Sequence, residues 1–285
     1  MRTAIEAIIA LLLFGGIPVI VKSVSANPFT IGVFRLTVAT IGVTAILALR
    51  RQLHRVPRRD LARLAVIGVV FFIHWITLFI GIKISSASIG AIGLSTYGIH
   101  LLILGAIFAH ERPRPIVIVA VLIAAAGALL VVPQFTFSDA TAVGMMLTTF
   151  SAVMYASLPL LHQRWAHIPN HTRTLGQFAF ALLCFLLFLP RTNWDLAPSD
   201  WAGLLFLGIG VTLIGHSLWV RVTTKLSPSV TSIVYYGNIP IAIALSVMVR
   251  GEPLAGRTLI GASMIIFGSI LGLAMRRPSV APEGE

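Results

Sequence analysis

Of the 285 residues in this 30.6 kDa chain, 57% are hydrophobic and only 11% charged, against about 25% charged in an ordinary globular domain. With a mean hydropathy of +0.96 the chain cannot cover its own surface with polar groups, which excludes a soluble fold. The net charge of +12 comes without the basic stripe or aromatic-basic module of a nucleic-acid binder, so no nucleic-acid partner is expected and the Arg excess is read as membrane topology.

Apolar segments follow one another at 4–24, 31–49, 61–82, 88–109, 115–132, 140–161, 174–189, 201–222, 229–249 and 258–275. A bilayer crossing needs about 20 residues, so the pattern predicts an all-α integral membrane protein of ten transmembrane helices with no room for a soluble domain. Turn chemistry separates the segments, at Asn27-Pro28, Arg112-Pro113-Arg114-Pro115, Pro133, Ile168-Pro169-Asn170, Pro190, Ala197-Pro198, Pro228 and Glu252-Pro253. The seventh segment is the weakest, being short and containing Gln177. Arg2 ahead of the first segment and Val24-Ser25-Ala26 behind it imitate a secretory signal, but the length of the segment and Glu6 within it favour a retained span. The sole cysteine, Cys184, falls inside the seventh segment and leaves no disulfide framework or Cys-based metal site.

Short cytoplasmic loops retain Lys and Arg. With the N-terminus inside, the cytoplasmic face collects Arg2, Arg50, Arg51, Arg55, Arg58, Arg59, Arg63, Arg112, Arg114, Arg164, Arg173, Arg221, Lys225, Arg276 and Arg277, whereas the outer face keeps Lys22, Lys83, Arg191, Arg250 and Arg257. Both termini are therefore expected in the cytoplasm, with the chain spanning the cell inner (plasma) membrane. Arg35 lies within the second segment and is expected to snorkel outward rather than bind a substrate carboxylate.

Sliding the second half over the first by 141 residues aligns Pro18 with Pro159, Ser86 with Ser227, Ser88 with Ser229, Glu111 with Glu252, and Gly127 with Gly268. This predicts two five-helix repeats, 1–135 and 136–277, followed by a cytoplasmic tail at 278–285. An odd number of spans per repeat inverts the second copy in the membrane, the plan of many secondary transporters. An old duplication kept only for packing is the alternative.

Phe14 to Pro18, with aromatic-Gly-x-x-Pro spacing, then Phe34-Arg35 and His110-Glu111-Arg112-Pro113 resemble the first EamA repeat of the drug/metabolite transporter superfamily, and Gly251-Glu252-Pro253 repeats the ending. The chain departs from the family's pattern at Phe14, where many relatives carry Trp, and at Ile99, which stands opposite Pro240. The resemblance covers essentially the whole chain and is similar in character to the YddG-type amino-acid exporters. It implies a ten-helix exporter of small metabolites, with membrane lipid and a small-molecule substrate as partners, no cofactor and a functional monomer.

Intramembrane ionisable groups are costly and mark candidate sites. All nine acids lie in loops, near span ends or in the tail, Glu6 being near the cytoplasmic end of the first helix, so any proton carrier is expected to be histidine. His74 with Trp75, and His216 with Trp219, occupy nearly equivalent places in the two halves and are the first candidates for a substrate-binding cavity; hydrogen bonding to neighbouring helices and interfacial anchoring are the alternatives. His100 lacks such a counterpart and is read as structural. A polar stripe of Ser88, Ser95, Ser229, Ser232 and Tyr236, with Tyr97 and Asn238 matched by the shift, is a second candidate lining or a helix-packing surface, and Tyr235 is as apt to face lipid. Pro18, Pro159 and Pro240 interrupt backbone hydrogen bonding and are candidate hinges, or proline tolerated without motion. A cavity of Trp, His, Tyr and Ser without acids suits neutral or zwitterionic solutes, hydrophobic or aromatic amino acids being the choice guided by the resemblance. An enzyme is not expected: His162, His167 and His171 match no familiar zinc spacing, and a channel would want a charge ring or filter sequence. No Walker loop is present to couple ATP.

Overall fold

The structure is a computed structural model in which residues 2–131, 138–240 and 256–274 are described. The predicted loops at Pro133 and Gly251-Glu252-Pro253, the later part of the ninth segment and the tail 278–285 lie outside the described residues. Among the described residues the fold is helical throughout, without strands.

The helices are α1 (Arg2–Phe14), α2 (Ile17–Ser23), α3 (Pro28–Leu49), α4 (Arg58–Ile84), α5 (Ala87–Ser95), α6 (Tyr97–Phe108), α7 (Pro115–Val131), α8 (Asp139–Arg164), α9 (Asn170–Leu186), α10 (Pro198–Leu205), a π-helical stretch Phe206–His216, α11 (Ser217–Lys225), α12 (Pro228–Tyr235) and α13 (Gly256–Ala274). Among the described residues seven helical runs are long and apolar enough to cross a membrane, and Pro115–Val131 is a shorter apolar helix. Their outer surfaces are apolar: Ile41, Leu49, Phe108, Met146, Phe267 and Ile270 are all exposed, a belt far larger than the patches soluble proteins tolerate.

Several segments predicted as continuous are broken. The first divides at Gly15-Gly16, where Pro18, near the start of α2, withholds the N–H that the Phe14 carbonyl would accept. The fourth divides at Thr96, whose hydroxyl donates back to the Gly93 carbonyl at 2.6 Å and competes with the helix ladder. The helix α8 runs on through Pro159. The helix α9 begins at Asn170, before the predicted start, because its polar residues Arg173, Thr174 and Gln177 are turned inward and buried. Arg173 donates to the Ile168 and His162 carbonyls, and His162 shares a 2.7 Å hydrogen bond with Gln177.

Polar contacts sort the helix ends into two faces. On one, Arg221 donates to Glu6 at 2.9 Å, Gln163 donates to the Thr223 and Leu226 carbonyls, and Asp60 pairs with Arg63 and His167. On the other, Asp200 accepts from the backbone and hydroxyl of Ser25, Lys22 donates to the Lys83 and Ser85 carbonyls, and Asn27 and Thr30 bond Asn193. Thus α1 starts on the face where α8 ends.

The packing of α7 against α13 carries a second regularity. A Cβ on Gly127 would lie 2.6 Å from the Gly261 carbonyl, and one on Gly268 would lie 2.6 Å from the Ala120 carbonyl. The 141-residue shift carries Ala120 to Gly261 and Gly127 to Gly268, so it exchanges the two contacts. Small residues allow such close backbone approach between membrane helices. Gly261→Leu is expected to overpack this contact and destabilise the bundle by about 1–3 kcal/mol, read as a lower melting temperature in detergent, while Ile260→Leu on the exposed side leaves it unchanged.

Candidate functional site

Helices from both halves bring an aromatic and polar cluster into the core. The His74 Nδ1 lies 2.7 Å from the Ser151 Oγ and 3.0 Å from its carbonyl, and the Ser151 hydroxyl donates to the His74 carbonyl at 2.8 Å. These bonds tie α4 to α8 and hold the His74 ring stacked on Tyr155, centroids 4.4 Å apart and 12° from parallel. Across the core, His216 is boxed by Phe14 at 4.8 Å, Phe71 at 5.1 Å, Trp75 at 5.6 Å and Tyr155 at 6.1 Å. Tyr97, at the start of α6, packs 5.0 Å from Tyr155 and 4.2 Å from Tyr235, which in turn lies 5.9 Å from Trp219.

Five of the sequence-predicted site residues, His74, Trp75, Tyr97, His216 and Trp219, therefore meet in one buried layer. Asn238 lies three residues beyond Tyr235, just past the Tyr236-Gly237 turn. Ser95 and Tyr236 do not face the layer's centre in the same way. The Ser95 hydroxyl donates to the Ile92 carbonyl in its own helix at 2.7 Å, and Tyr236 packs with Leu102 and Ile233 in a second core cluster. Ser232 likewise bonds back to Pro228, at 2.8 Å. Ser229 receives a different partner, its backbone N–H donating to Glu111 Oε2 at 3.1 Å, so that the His110-Glu111-Arg112-Pro113 turn caps the start of α12. Pro18 and Pro159 sit one turn after Phe14 and Tyr155, and each removes the hydrogen bond to the carbonyl of an aromatic that touches His216. Pro240 stands in the same relation to Tyr236.

Arg35 corrects the sequence expectation. It does not snorkel: the residue is 1% exposed, its Nε donates to Thr212 Oγ1 at 3.0 Å, and its guanidinium lies 4.0 Å from the Trp75 ring centroid and 5.4 Å from that of Phe79. The π-helical stretch positions the acceptor, since Thr212 Oγ1 donates five residues back to the Leu207 carbonyl at 2.7 Å and is thereby fixed facing α3. Tyr155, Phe71 and Tyr235 are further members of the layer that residue-type reasoning missed. Tyr155 aligns with Phe14 under the 141-residue shift, but nothing in the local sequence singles out either Tyr155 or Phe71. The three histidines considered for a metal go separate ways, His162 to Gln177 and His167 to Asp60, and the described residues contain no metal-holding group of His, Cys, Asp or Glu.

An apolar belt around a buried aromatic and polar centre assembled from both halves is the build of a multi-pass membrane transporter. The sequence model of the EamA-like transporter family matches residues 1–132 and again 142–273, and the chain belongs to that family. It is 23% identical over 289 residues to a protein of Bacillus subtilis (strain 168) named Uncharacterized transporter YxxF, covering 98% of this chain and 93% of that one. It is 24% identical over 247 residues to an Uncharacterized transporter of Archaeoglobus fulgidus, covering 85% and 87%. A solved structure described only as the crystal structure of a protein shares the fold, with a TM-score of 0.83 at 17% identity over 97% of this chain and 99% of that one.

Trp75 is buried against the Arg35 guanidinium and the His216 ring, so Trp75→Ala is expected to cost about 3–5 kcal/mol through the cavity it leaves. Trp75→Phe should retain most of that stability, as judged by thermal unfolding of the purified protein in detergent.

Proposed function

We propose that this EamA-family transporter exports small zwitterionic or neutral metabolites, hydrophobic and aromatic amino acids foremost, by alternating access of two inverted five-span repeats, with both termini in the cytoplasm. The observation that carries this reading is the convergence of Phe14, Tyr155, Trp75 and His216 on one layer. The 141-residue shift pairs Phe14 with Tyr155 and Trp75 with His216, so each half contributes one member of each pair to a common wall. Aromatic faces receive an apolar body, and polar edges orient it.

Three further observations support the inverted arrangement. The family model matches twice, its second match starting at 142 where the first starts at 1. The helix ends sort so that α1 starts where α8 ends, and the shift exchanges the α7 and α13 contacts. Exchangeable halves of opposite orientation are what alternating access requires. The Arg-rich loop at 50–63 and Arg112, Arg164 and Arg221 fall on the face that carries the start of α1, which supports a cytoplasmic N-terminus. Pro18 and Pro159, both beside the layer, are the hinges of this reading.

The experiment is flux in proteoliposomes. Radiolabelled aromatic amino acids are expected to enter with saturable, trans-stimulated kinetics, and Trp219→Ala to raise the half-saturating concentration about tenfold for a loss near 1.4 kcal/mol of binding. Non-saturating flux would indicate a channel, and uptake of sugars or nucleotides alone would refute the cargo class. With Cys184 replaced by Ser, cysteines introduced at Gln52 and Ser138 should react with impermeant maleimide from opposite sides of the membrane; same-side labelling would refute the topology.

A further inference from the structure

We infer that Arg35 is the receptor for a carboxylate on the transported molecule, so that cargo is selected by a negative group as well as by an apolar body. The inference rests on the transporter reading above and deepens it.

The guanidinium is buried and fixed from two directions, by Thr212 on Nε and by the Trp75 face. Both terminal nitrogens, Nη1 and Nη2, are buried without a hydrogen-bond partner in the protein. No ion pair to Arg35 is formed among the described residues, where Glu6 and Asp60 pair with cations at the helix ends. A tethered Nε with free Nη1 and Nη2 leaves the part of the fork that can engage a carboxylate by charge-assisted hydrogen bonds. Four further polar atoms in the same layer are buried and unpartnered, the Tyr155 and Tyr97 hydroxyls, His216 Nε2 and Trp219 Nε1; His216 packs on the same Trp75 ring as Arg35, and Tyr155 lies 6.1 Å from His216. A buried polar atom without a partner is destabilising, and six from five residues that converge on one aromatic layer point to a ligand that completes them. A carboxylate offers acceptors to the guanidinium and the Tyr155 hydroxyl. For an ammonium group the layer holds no acid among the described residues, but Pro18 and Pro159 leave the carbonyls of two of its members, Phe14 and Tyr155, without their helical donor, which suits a zwitterion over a simple cation.

The test uses the purified full-length protein and four probes that differ only in charged groups: L-phenylalanine, 3-phenylpropionate, phenylalaninamide and phenethylamine. Binding by calorimetry and flux in proteoliposomes are both measured. Wild-type protein is expected to bind the two carboxylates at least tenfold more tightly than the two amines. Arg35→Gln should bring the phenylalanine to phenylalaninamide ratio to about one, and Arg35→Lys should restore part of it. The wild-type ratios need no variant, so they decide the matter even if Arg35→Gln fails to fold. Equal binding of carboxylates and amines by wild type, no binding of either carboxylate, or an unchanged ratio in folded Arg35→Gln would each overturn the inference. Saturable flux of only uncharged or cationic solutes would overturn it while leaving the transporter reading intact. Carboxylate-selective binding without flux of any probe would uphold the receptor and refute the proposed cargo.

Discussion

A positive charge held inside an apolar bundle is the constraint around which the centre of this protein is arranged. Inserting an Arg at the middle of a membrane helix costs about 2.5–3.5 kcal/mol on insertion scales, and Arg35 does not escape by reaching for the headgroups. Instead the ring of Trp75 lies 4.0 Å away and Thr212 accepts from Nε. A desolvated cation–π contact contributes about 2 kcal/mol and a hydrogen bond to a charged group about 1.5–3 kcal/mol, which together offset the insertion cost. The π-helical stretch follows from the same demand. Its wider register lets the Thr212 hydroxyl bond the carbonyl five residues back while still presenting an acceptor to α3, an arrangement typical of π segments at working sites.

Around that charge, the two halves supply matching parts that have diverged. The shift of 141 residues pairs Phe14 with Tyr155, Trp75 with His216 and Tyr97 with Asn238. One member of each pair is the larger or more apolar ring and the other is the more polar group. Close packing elsewhere has stayed symmetric, as in the exchanged contacts of Gly127 and Gly268, because backbone approach tolerates little variation in side-chain size.

Much of the architecture was legible in the sequence because a bilayer demands long apolar runs and punctuated loops, and because proline and glycine fix landmarks that a repeat shift can find. Which side of each helix faces inward was far less legible. A membrane helix such as α3 or α6 is apolar all round, so hydropathy carries no phase, and Phe71 looks like any lipid-facing neighbour. Arg35 was misread because side-chain length alone allowed an outward path, while its tether, Thr212, is remote in sequence and turned inward by a π register that no local pattern announces. The hydroxyl stripe stays open between its two readings: Ser95 and Ser232 bond their own helix backbones, as serines do whether they line a cavity or pack helices.

The polar brackets on the two faces suggest how such a centre could be opened. The α1–α2 pair is bound at both ends to the 198–225 run, through Glu6 and Arg221 on one face and Ser25 and Asp200 on the other. Its repeat counterpart, α8, is bound to α4 through Ser151 and His74 at mid-helix and by close approach of Gly144 to Ser85 near one end. Each pair is therefore tied to itself at separated points, and the pairs meet each other at mid-bundle through ring contacts such as Trp75 on His216 and Tyr155 on His216, with Gln163 bonding the Thr223 carbonyl on one face and Lys22 the Lys83 carbonyl on the other. Ring contacts slide and part at less cost than charged hydrogen bonds break. In the proposed cycle the two pairs would rock as units, and the aromatic layer would divide between them, with His216 and Phe14 on one side and His74, Trp75 and Tyr155 on the other. Arg35 belongs to neither pair by sequence, but its bond to Thr212 joins it to one and its stack on Trp75 to the other, so it spans the seam at which the layer would have to separate.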